Sequence, residues 1–331
     1  MPRVAAVDCG TNSIRLLIAD TDGRTLTDVA RTMEIVRLGQ GVDVTGRIAP
    51  EAMERTLRVA RTYAEKCVAT DVERVRFVAT SASRDAQNSA EFTRGIAEAF
   101  AAFGIEPEVI SGSEEAALSF RGATSVVLRA GRVGEPPRAS RIETRDTRPV
   151  PPAPYLVVDL GGGSTEFVLG TDDVEASIST NIGCVRLTER HLHTDPPTDA
   201  EIAAALVDIN AAIDEAAAVV PLERTGSLIG LAGSVTTITA HALGLTSYDA
   251  SRIDGTALPA DTALKSCDAL LHASRAERAA LGYMHPGRVD VIGSGALIWR
   301  TIIERAGVAA GIDTVLTSEH DILDGIALSL A

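Results

Sequence analysis

The segment Val157-Val158-Asp159-Leu160-Gly161-Gly162-Gly163-Ser164-Thr165-Glu166-Phe167 decides the fold that we expect for this chain of 331 residues. It reads VVDLGGGSTEF: an apolar strand that ends at an aspartate, a turn with three glycines, and a second strand. Glycines let a backbone approach an anion closely, and successive free N–H groups form a concave anion site. A tight hairpin brings the carboxylates of Asp159 and Glu166 to the same end of the two strands, where they can share a divalent cation. We therefore predict these two acids as metal ligands and four turn residues as phosphate ligands: Gly161, Gly162, Gly163 and Ser164.

A second segment of the same design opens the chain. VAAVDCGTNSIRLLIAD has an apolar strand ending at Asp8, a glycine-containing turn and another apolar strand. Asp8 is predicted as a further metal ligand, and the turn as a second phosphate site: Gly10, Thr11, Asn12 and Ser13. Two such segments indicate an α/β chain of two related halves that face each other. A third glycine-rich turn precedes a helix that we predict to begin at Ser234, so Gly233 and Ser234 are predicted phosphate contacts at a helix N-terminus.

Two further charged residues follow predicted strands of the first half. In ISGSEEAALSF, Ser111 and Glu114 match a helix-capping box, and Glu115 lies about 100° further round the helix. Glu115 is then either free to reach into a cleft as an ionised base beside phosphates, or a first-turn acid that interacts with the helix dipole. In ATSASRDAQN, Arg84 can bind a phosphate bidentately or form a surface ion pair with Asp85 or a nearby acid.

Composition excludes several classes of protein. The formal net charge of −14 argues against a surface that binds duplex nucleic acid, because such binding needs an excess of Lys and Arg. No apolar run reaches the roughly 20 residues of a membrane-spanning helix, and the N-terminus lacks the pattern of a signal peptide, so we expect a cytoplasmic protein without a membrane partner. The sequence leaves the oligomeric state open, and a homodimer is the commonest arrangement for such an enzyme. The four cysteines have no disulfide or metal-finger spacing and are expected to be buried thiols.

Three segments are predicted along the chain. Residues 1–128 form a first α/β domain, which a C-terminal helix within 320–331 would complete. Residues 129–154 are rich in proline and arginine and have almost nothing to bury, so they are predicted to be a linker or mobile loop, with phosphate binding as the alternative. Residues 155–319 form the second domain.

Seven motifs, in this order, resemble those of the exopolyphosphatase/guanosine pentaphosphate phosphatase (Ppx/GppA) family of the actin-like ATPase superfamily. They are VDCGTNSIRLLIAD, ATSASRDAQN, ISGSEEA, VVDLGGGSTEF, NIGCVRLTE, GLAGSVTT and HPGRVDVIGSGALI, and they span essentially the whole chain. The resemblance implies two actin-like (ribonuclease H-like) domains with a cleft between them. In that cleft the terminal phosphate of inorganic polyphosphate or guanosine pentaphosphate (pppGpp) would be hydrolysed with Mg²⁺ or Mn²⁺.

The resemblance also implies roles for individual residues. Glu115 matches the catalytic base of the family, and Arg84 matches an arginine expected to contact phosphate. Asp159 and Glu166 match acids that bind metal or orient water. Arg15 falls where the family carries Arg or His, and we count it among the phosphate ligands. Three turn residues match phosphate-loop positions: Asn12, Gly162 and Ser164.

The sequence departs from the family pattern near its C-terminus. It reads SEHDILDGIAL where the family often has a GLREG-like segment, so Leu323 stands where an arginine is expected. The extra C-terminal domains of longer members also have no counterpart, which makes short polyphosphate or a nucleotide the more plausible substrate. Two other functions are compatible with the same superfamily: a small-molecule kinase that uses ATP, and a non-catalytic nucleotide-binding scaffold.

Overall fold

The structure is a computed structural model that describes residues 1–131 and 151–331, with side chains described up to residue 125 and again from residue 151. The strands are β1 (Arg3–Cys9), β2 (Ser13–Thr21), β3 (Leu26–Ile35), β4 (Arg74–Ala79), β5 (Glu108–Val109), β6 (Tyr155–Leu160), β7 (Thr165–Gly170), β8 (Val174–Thr180), β9 (Ser227–Leu231), β10 (Ala257–Pro259) and β11 (Thr314–Thr317). The helices are α1 (Val42–Thr45), α2 (Pro50–Ala69), α3 (Ser81–Asp85), α4 (Ser89–Ala99), α5 (Gly112–Gly131), α6 (Cys184–His191), α7 (Asp199–Val219), α8 (Ala232–Ala242), α9 (Ala250–Ile253), α10 (Ala260–His272), α11 (Arg275–Ala279), α12 (Ile292–Ala310) and α13 (Ile322–Leu328).

Two mixed sheets share one topology. The first has the order β3-β2-β1-β4-β5, and the second has the order β10-β11-β9-β6-β7-β8. In each, three antiparallel strands (β1 to β3, and β6 to β8) are followed by strands parallel to the first of them, β4 and β5 in one sheet and β9 and β11 in the other. The two related halves predicted from the sequence are therefore present.

Helix α5 lies between the two sheets. Its Leu118 packs into a core with residues of β1, β2 and α13. Residues Ala116 and Phe120 of the same helix pack against Tyr155 and Val168 in the second sheet. Because α5 is buried on both sides, its N-terminus is held where the sheets approach each other, and this position brings Glu115 into the site described below.

Helices α5 and α13 cross with almost no space between them. A Cβ on Gly122 would lie 1.8 Å from the carbonyl oxygen of Asp321, and a Cβ on Gly325 would lie 2.0 Å from that of Leu118. Only glycine permits such an approach at both points. Ile322 and Ile326 of α13 join the core of the first sheet.

Ion pairs join the two halves at one end of the gap between them. Asp43 in α1 accepts from Arg186 at 2.9 Å and from Arg190 at 2.5 Å, and both arginines lie in α6. Arg186 also binds Asp85 in α3. These contacts hold α6 of the second half against α1 and α3 of the first.

Local sequence signals for helix starts were mostly correct. The sequence has the capping-box pattern, Ser or Thr followed three residues later by Glu, at Thr198–Glu201 and Ser274–Glu277, and both boxes are formed. At Ser111 the hydroxyl accepts from Glu114 N–H at 3.2 Å, while the carboxylate of Glu114 pairs with Arg76. The expected helix start at Ser234 was wrong by two residues, because α8 begins at Ala232.

Several expectations concern features away from the site. The four cysteines are buried free thiols, as predicted. Across residues 1–131 and 151–331, no helix is both long and apolar enough to cross a membrane. The predicted segment 129–154 falls largely on residues 132–150, which lie outside the described residues. The predicted domain boundaries stay predictions.

Candidate active site

The β1–β2 and β6–β7 turns face each other and have the same internal geometry. Gly10 N–H donates to the carbonyl oxygen of Ser13 at 2.9 Å, and Gly161 N–H donates to that of Ser164 at 3.0 Å. The turns are in direct contact, because a Cβ on Gly163 would lie 2.6 Å from Thr11 Oγ1. The two halves therefore meet at the residues predicted to bind phosphate.

Each turn presents backbone donors to the space between the halves. Among the described residues, no acceptor is present for the N–H groups of Thr11, Asn12, Gly162 and Gly163. Six of the eight carbonyl oxygens of residues 10–13 and 161–164 accept a backbone hydrogen bond; that of Asn12, for example, accepts from Val36 N–H and Arg37 N–H. Donors left free beside occupied acceptors form an environment that favours an anion.

Fourteen of the sixteen residues predicted for the site line one cleft between the halves, which we call the central cleft. They are Asp8, Gly10, Thr11, Asn12, Ser13, Arg15, Glu115, Asp159, Gly161, Gly162, Ser164, Glu166, Gly233 and Ser234. The other two lie directly behind it. Arg84 binds Glu115, and Gly163 packs between Thr11 and Ser81.

Glu115 is a buried carboxylate at the cleft wall. Arg84 Nη1 donates to it at 3.1 Å and to the carbonyl oxygen of Ile110 at 2.9 Å. Of the ion-pair partners considered for Arg84, Asp85 pairs instead with Arg186, and the nearby acid that Arg84 does bind is Glu115. Burial raises the pKa of Glu115 to about 7, and the charge of Arg84 opposes this rise. A carboxyl group with such a pKa is suited to proton transfer near neutral pH.

Asp159 and Glu166 lie directly opposite each other on β6 and β7. Their side chains therefore leave the sheet on the same face. Ser119 in α5 donates to Asp159 at 2.6 Å, and Ser179 in β8 donates to Glu166 at 2.6 Å. Burial, reinforced by the charge of Asp321, raises the pKa of Asp159 to about 6. Burial and the charges of Glu115 and Asp159 raise the pKa of Glu166 well above its usual value.

The equivalent positions of the first half hold an ion pair. Asp8 and Arg15 lie opposite each other on β1 and β2, and Arg15 Nη2 donates to Asp8 at 2.6 Å. Arg15 Nη1 donates to Asp321, the residue that precedes α13. Burial raises the pKa of Asp8, and the charge of Arg15 opposes this effect. One half of the cleft thus has a carboxylate paired with an arginine. The other half has two carboxylates that form no ion pair with any cationic side chain among the described residues.

The predicted metal ligands do not form a ready-made cage. In the described part of the chain, no three His, Cys, Asp or Glu side chains are grouped as ligands of one ion. The donor set nevertheless fits Mg²⁺, which binds proteins through one or two carboxylates and takes its other ligands from water and substrate phosphate. Buried acids with raised pKa values are also the groups that a bound cation would stabilise in their ionised form.

Several residues of the cleft were missed by the sequence reasoning. Arg288 lines it and donates to Thr237 Oγ1 at 3.3 Å and to Met33 Sδ at 3.6 Å. Arg288 belongs to the quoted motif HPGRVDVIGSGALI, so a signal was present. Ser119 stands one helical turn after Glu115, and that spacing also places it on the cleft side. No local signal points to Asp321.

Comparison with known proteins gives consistent results along the whole chain. A model described as the Ppx/GppA phosphatase family matches residues 17–133 and 147–330. Exopolyphosphatase 2 of Mycobacterium tuberculosis is 49% identical over 337 aligned residues, which cover 100% of this chain and 99% of that protein. The crystal structure of an exopolyphosphatase-like protein is 44% identical, with a TM-score of 0.89 and coverage of 100% and 98%. The Aquifex aeolicus PPX-GPPA enzyme is 28% identical, with a TM-score of 0.76 and coverage of 99% of both chains. The predicted α/β fold with two actin-like domains is confirmed.

Proposed function

The chain belongs to the Ppx/GppA phosphatase family, and we propose that it is an exopolyphosphatase, which removes the terminal phosphate from inorganic polyphosphate. The observation that carries this proposal is the position of Glu115. Its buried carboxylate lines the same cleft as the two glycine-rich turns, and its pKa is raised to about 7. A base facing an anion site is the arrangement that hydrolysis of a terminal phosphate requires.

The turns would hold the terminal phosphates through their backbone donors. Four backbone N–H groups without an acceptor among the described residues would donate to phosphate oxygens: those of Thr11, Asn12, Gly162 and Gly163. Successive free N–H groups of this kind bind anions. The side chains of Ser13, Ser164 and Ser234 line the same cleft and add hydroxyl donors. Arg15 and Arg288 supply positive charge at its edge.

Glu115 would accept the proton of the attacking water. Arg84 donates to one oxygen of the Glu115 carboxylate and so holds the carboxylate at the cleft wall. Water positioned there attacks the terminal phosphorus in line with the departing phosphate chain, and the proton passes to Glu115. Arg84 keeps part of the Glu115 population ionised at neutral pH, since its charge lowers the pKa of that carboxyl.

We propose Asp159 and Glu166, with Asp8, as the residues that hold Mg²⁺ or Mn²⁺. When bound, the ion neutralises the phosphate oxygens and the excess of buried carboxylate charge. Ser119 and Ser179 fix the two carboxylates of the second half by donating to them at 2.6 Å each. These hydroxyl groups orient the acids toward the cleft and restrict their rotation.

A specific observation favours pppGpp as a second substrate. A side cavity of about 470 Å³ adjoins the central cleft and shares Arg15 and Arg288 with it. Its wall includes Tyr248, Tyr283 and His285. Aromatic rings of this kind can stack on a planar base while the arginines bind phosphates.

A phosphate-release assay tests the proposal. The purified protein is incubated with Mg²⁺ and short polyphosphate, long polyphosphate, pppGpp or ATP in separate reactions. Release from polyphosphate supports an exopolyphosphatase, and release from pppGpp supports the second activity. ATP-dependent phosphorylation of a small molecule without phosphate release would indicate a kinase. Binding of polyphosphate or pppGpp without any release would indicate a scaffold, and either result would refute the proposal.

A further inference from the structure

Arg15 is held between two carboxylates that come from distant parts of the chain. Its Nε and Nη2 both donate to Asp8, at 2.9 and 2.6 Å, and its Nη1 donates to Asp321. Asp8 and Asp321 are both buried, at 4% exposure each. Three hydrogen bonds to these two carboxylates thus fix the plane of the Arg15 guanidinium, and the arginine itself is mostly buried.

Asp321 is itself rigidly placed. One of its carboxylate oxygens accepts from Leu323 N–H at 3.0 Å and so caps α13, while the other accepts from Arg15. Its own N–H donates to Asp324 at 3.1 Å. Its carbonyl oxygen lies against Gly122 of α5, where no side chain would fit. The helix that carries Glu115 therefore also fixes the anchor of Arg15.

The remaining donors of Arg15 are available to a ligand. A guanidinium has five N–H groups, of which three are used by Asp8 and Asp321. In the part of the chain that the structure describes, the other two, one on each terminal nitrogen, have no acceptor. Arg15 lines both the central cleft and the side cavity. Its guanidinium thus stands where the central cleft meets the side cavity.

We propose that Asp321 is a positioning residue for substrate binding: it aligns Arg15 so that two N–H groups of the guanidinium bind a phosphate oxygen next to the scissile bond. The inference rests on the proposed function in so far as the ligand is a phosphate chain. Without Asp321, Arg15 keeps its pairing with Asp8 and its charge, but it can rotate about that contact. The loss therefore falls on binding, while the base and the turns are left intact.

Asp321→Asn separates the two tasks of the side chain. The amide oxygen still caps α13, because Asn is as good an N-cap as Asp. The amide NH₂ group then faces Arg15 and cannot accept from it. We expect the KM for tripolyphosphate and its Kd measured calorimetrically with Mg²⁺ to rise about tenfold, as for the loss of one hydrogen bond to a charged group, with kcat within about twofold. Asp321→Ser, which also caps, should reproduce the result if the Asn variant folds poorly.

A double-variant cycle distinguishes positioning from a merely structural role. In an Arg15→Gln background, Asp321→Asn should weaken tripolyphosphate binding no further, because the residue acts through Arg15. Asp249→Asn is the matched control, since Asp249 caps α9 through Ser251 N–H. Asp249→Asn should leave both the KM and the Kd for tripolyphosphate unchanged.

Unchanged or tighter binding in Asp321→Asn would overturn the inference, and so would an equal loss in the Arg15→Gln background. Phosphate release by the wild-type protein tests the proposed function separately. Because the Kd of tripolyphosphate is measured in a Glu115→Gln background, in which we expect no turnover, either conclusion can fail while the other holds.

Discussion

The guanidinium of Arg84 lies 3.1 Å from the carboxylate of Glu115 and donates through the same nitrogen to the carbonyl oxygen of Ile110. One cation thus binds both the side chain proposed as the base and the strand end that leads into α5. Its charge acts against the burial that raises the pKa of Glu115. The pair therefore sets the protonation state of Glu115 as well as its position.

Replacing Glu115 with Gln should abolish turnover while leaving substrate binding. The amide has nearly the shape of the acid but cannot accept a proton, so we expect kcat for polyphosphate to fall by about 10²- to 10⁴-fold. Glu114→Gln is the matched control, because Glu114 is the preceding residue of the same helix and pairs with Arg76 at the surface. Phosphate release and calorimetric binding measure the two effects. Turnover at the wild-type rate in Glu115→Gln would contradict the mechanism.

The pH dependence of kcat/KM should show the titration of Glu115. Only the ionised carboxylate accepts a proton, so activity should rise with pH up to the pKa of about 7 and then level off. Arg84→Gln removes the charge that lowers this pKa, so the rising limb should move to higher pH. The profile is measured by phosphate release between about pH 5 and 9. A limb that does not move in Arg84→Gln would show that another group controls it.

The residues of the site could be predicted from the sequence, whereas most contacts between those residues could not. Each half repeats a strand, a glycine turn and a strand, and local patterns of this kind are visible in the residues themselves. The pairing of Arg15 with Asp321 is not visible, because 306 positions separate the two residues and only the return of α13 to the first sheet brings them together. The same holds for Ser179, which reaches Glu166 only through the register of β7 and β8.

Element types were predictable for the same reason, and exact boundaries were not. Hydrophobic spacing and capping boxes act over a few residues, so a helix was correctly expected within 320–331, where α13 spans Ile322–Leu328. The start of α8 was not predicted correctly. Its first residue, Ala232, has a φ of 67°, a left-handed conformation that is ordinarily expected only where the sequence has glycine or asparagine.

The acids of the cleft should make the metal-free protein less stable as the pH rises. Burial raises the pKa of Glu115 to about 7 and that of Asp159 to about 6, above the values of about 4 expected in the unfolded chain. Between about pH 4 and pH 7 the folded protein therefore binds more protons than the unfolded chain. The stability that comes from these protonated acids is lost as the pH rises through their pKa values in the folded protein. Thermal unfolding at pH 5 and pH 8 measures the difference.

Mg²⁺ should reverse this loss if it binds the same carboxylates. We expect Mg²⁺ to raise the Tm more at pH 8 than at pH 5, because at the lower pH protons compete for the ligands. In Asp159→Asn the effect of Mg²⁺ should be much smaller. An equal increase in Tm at both pH values would place the ion elsewhere on the protein.

Adding one methyl group at Gly183 should disable the cleft without touching a charged residue. A Cβ there would lie 2.5 Å from the backbone of Gly162 and 2.6 Å from Gly163 N, so the β6–β7 turn must move. The φ of Gly183 is −163°, which any residue adopts, so the clash alone is tested. Because displacing a substrate-positioning group by about 1 Å can cost about 10²-fold in rate, we expect kcat/KM in Gly183→Ala to fall by that order. Gly307→Ala is the control: Gly307 lies within α12, where alanine is the better helix former, and its Cβ would approach only Ile312 O beyond the end of the helix, at 3.3 Å. Both variants are assayed by phosphate release and thermal unfolding, and full activity in a folded Gly183→Ala protein would show that the turn need not be held in this position.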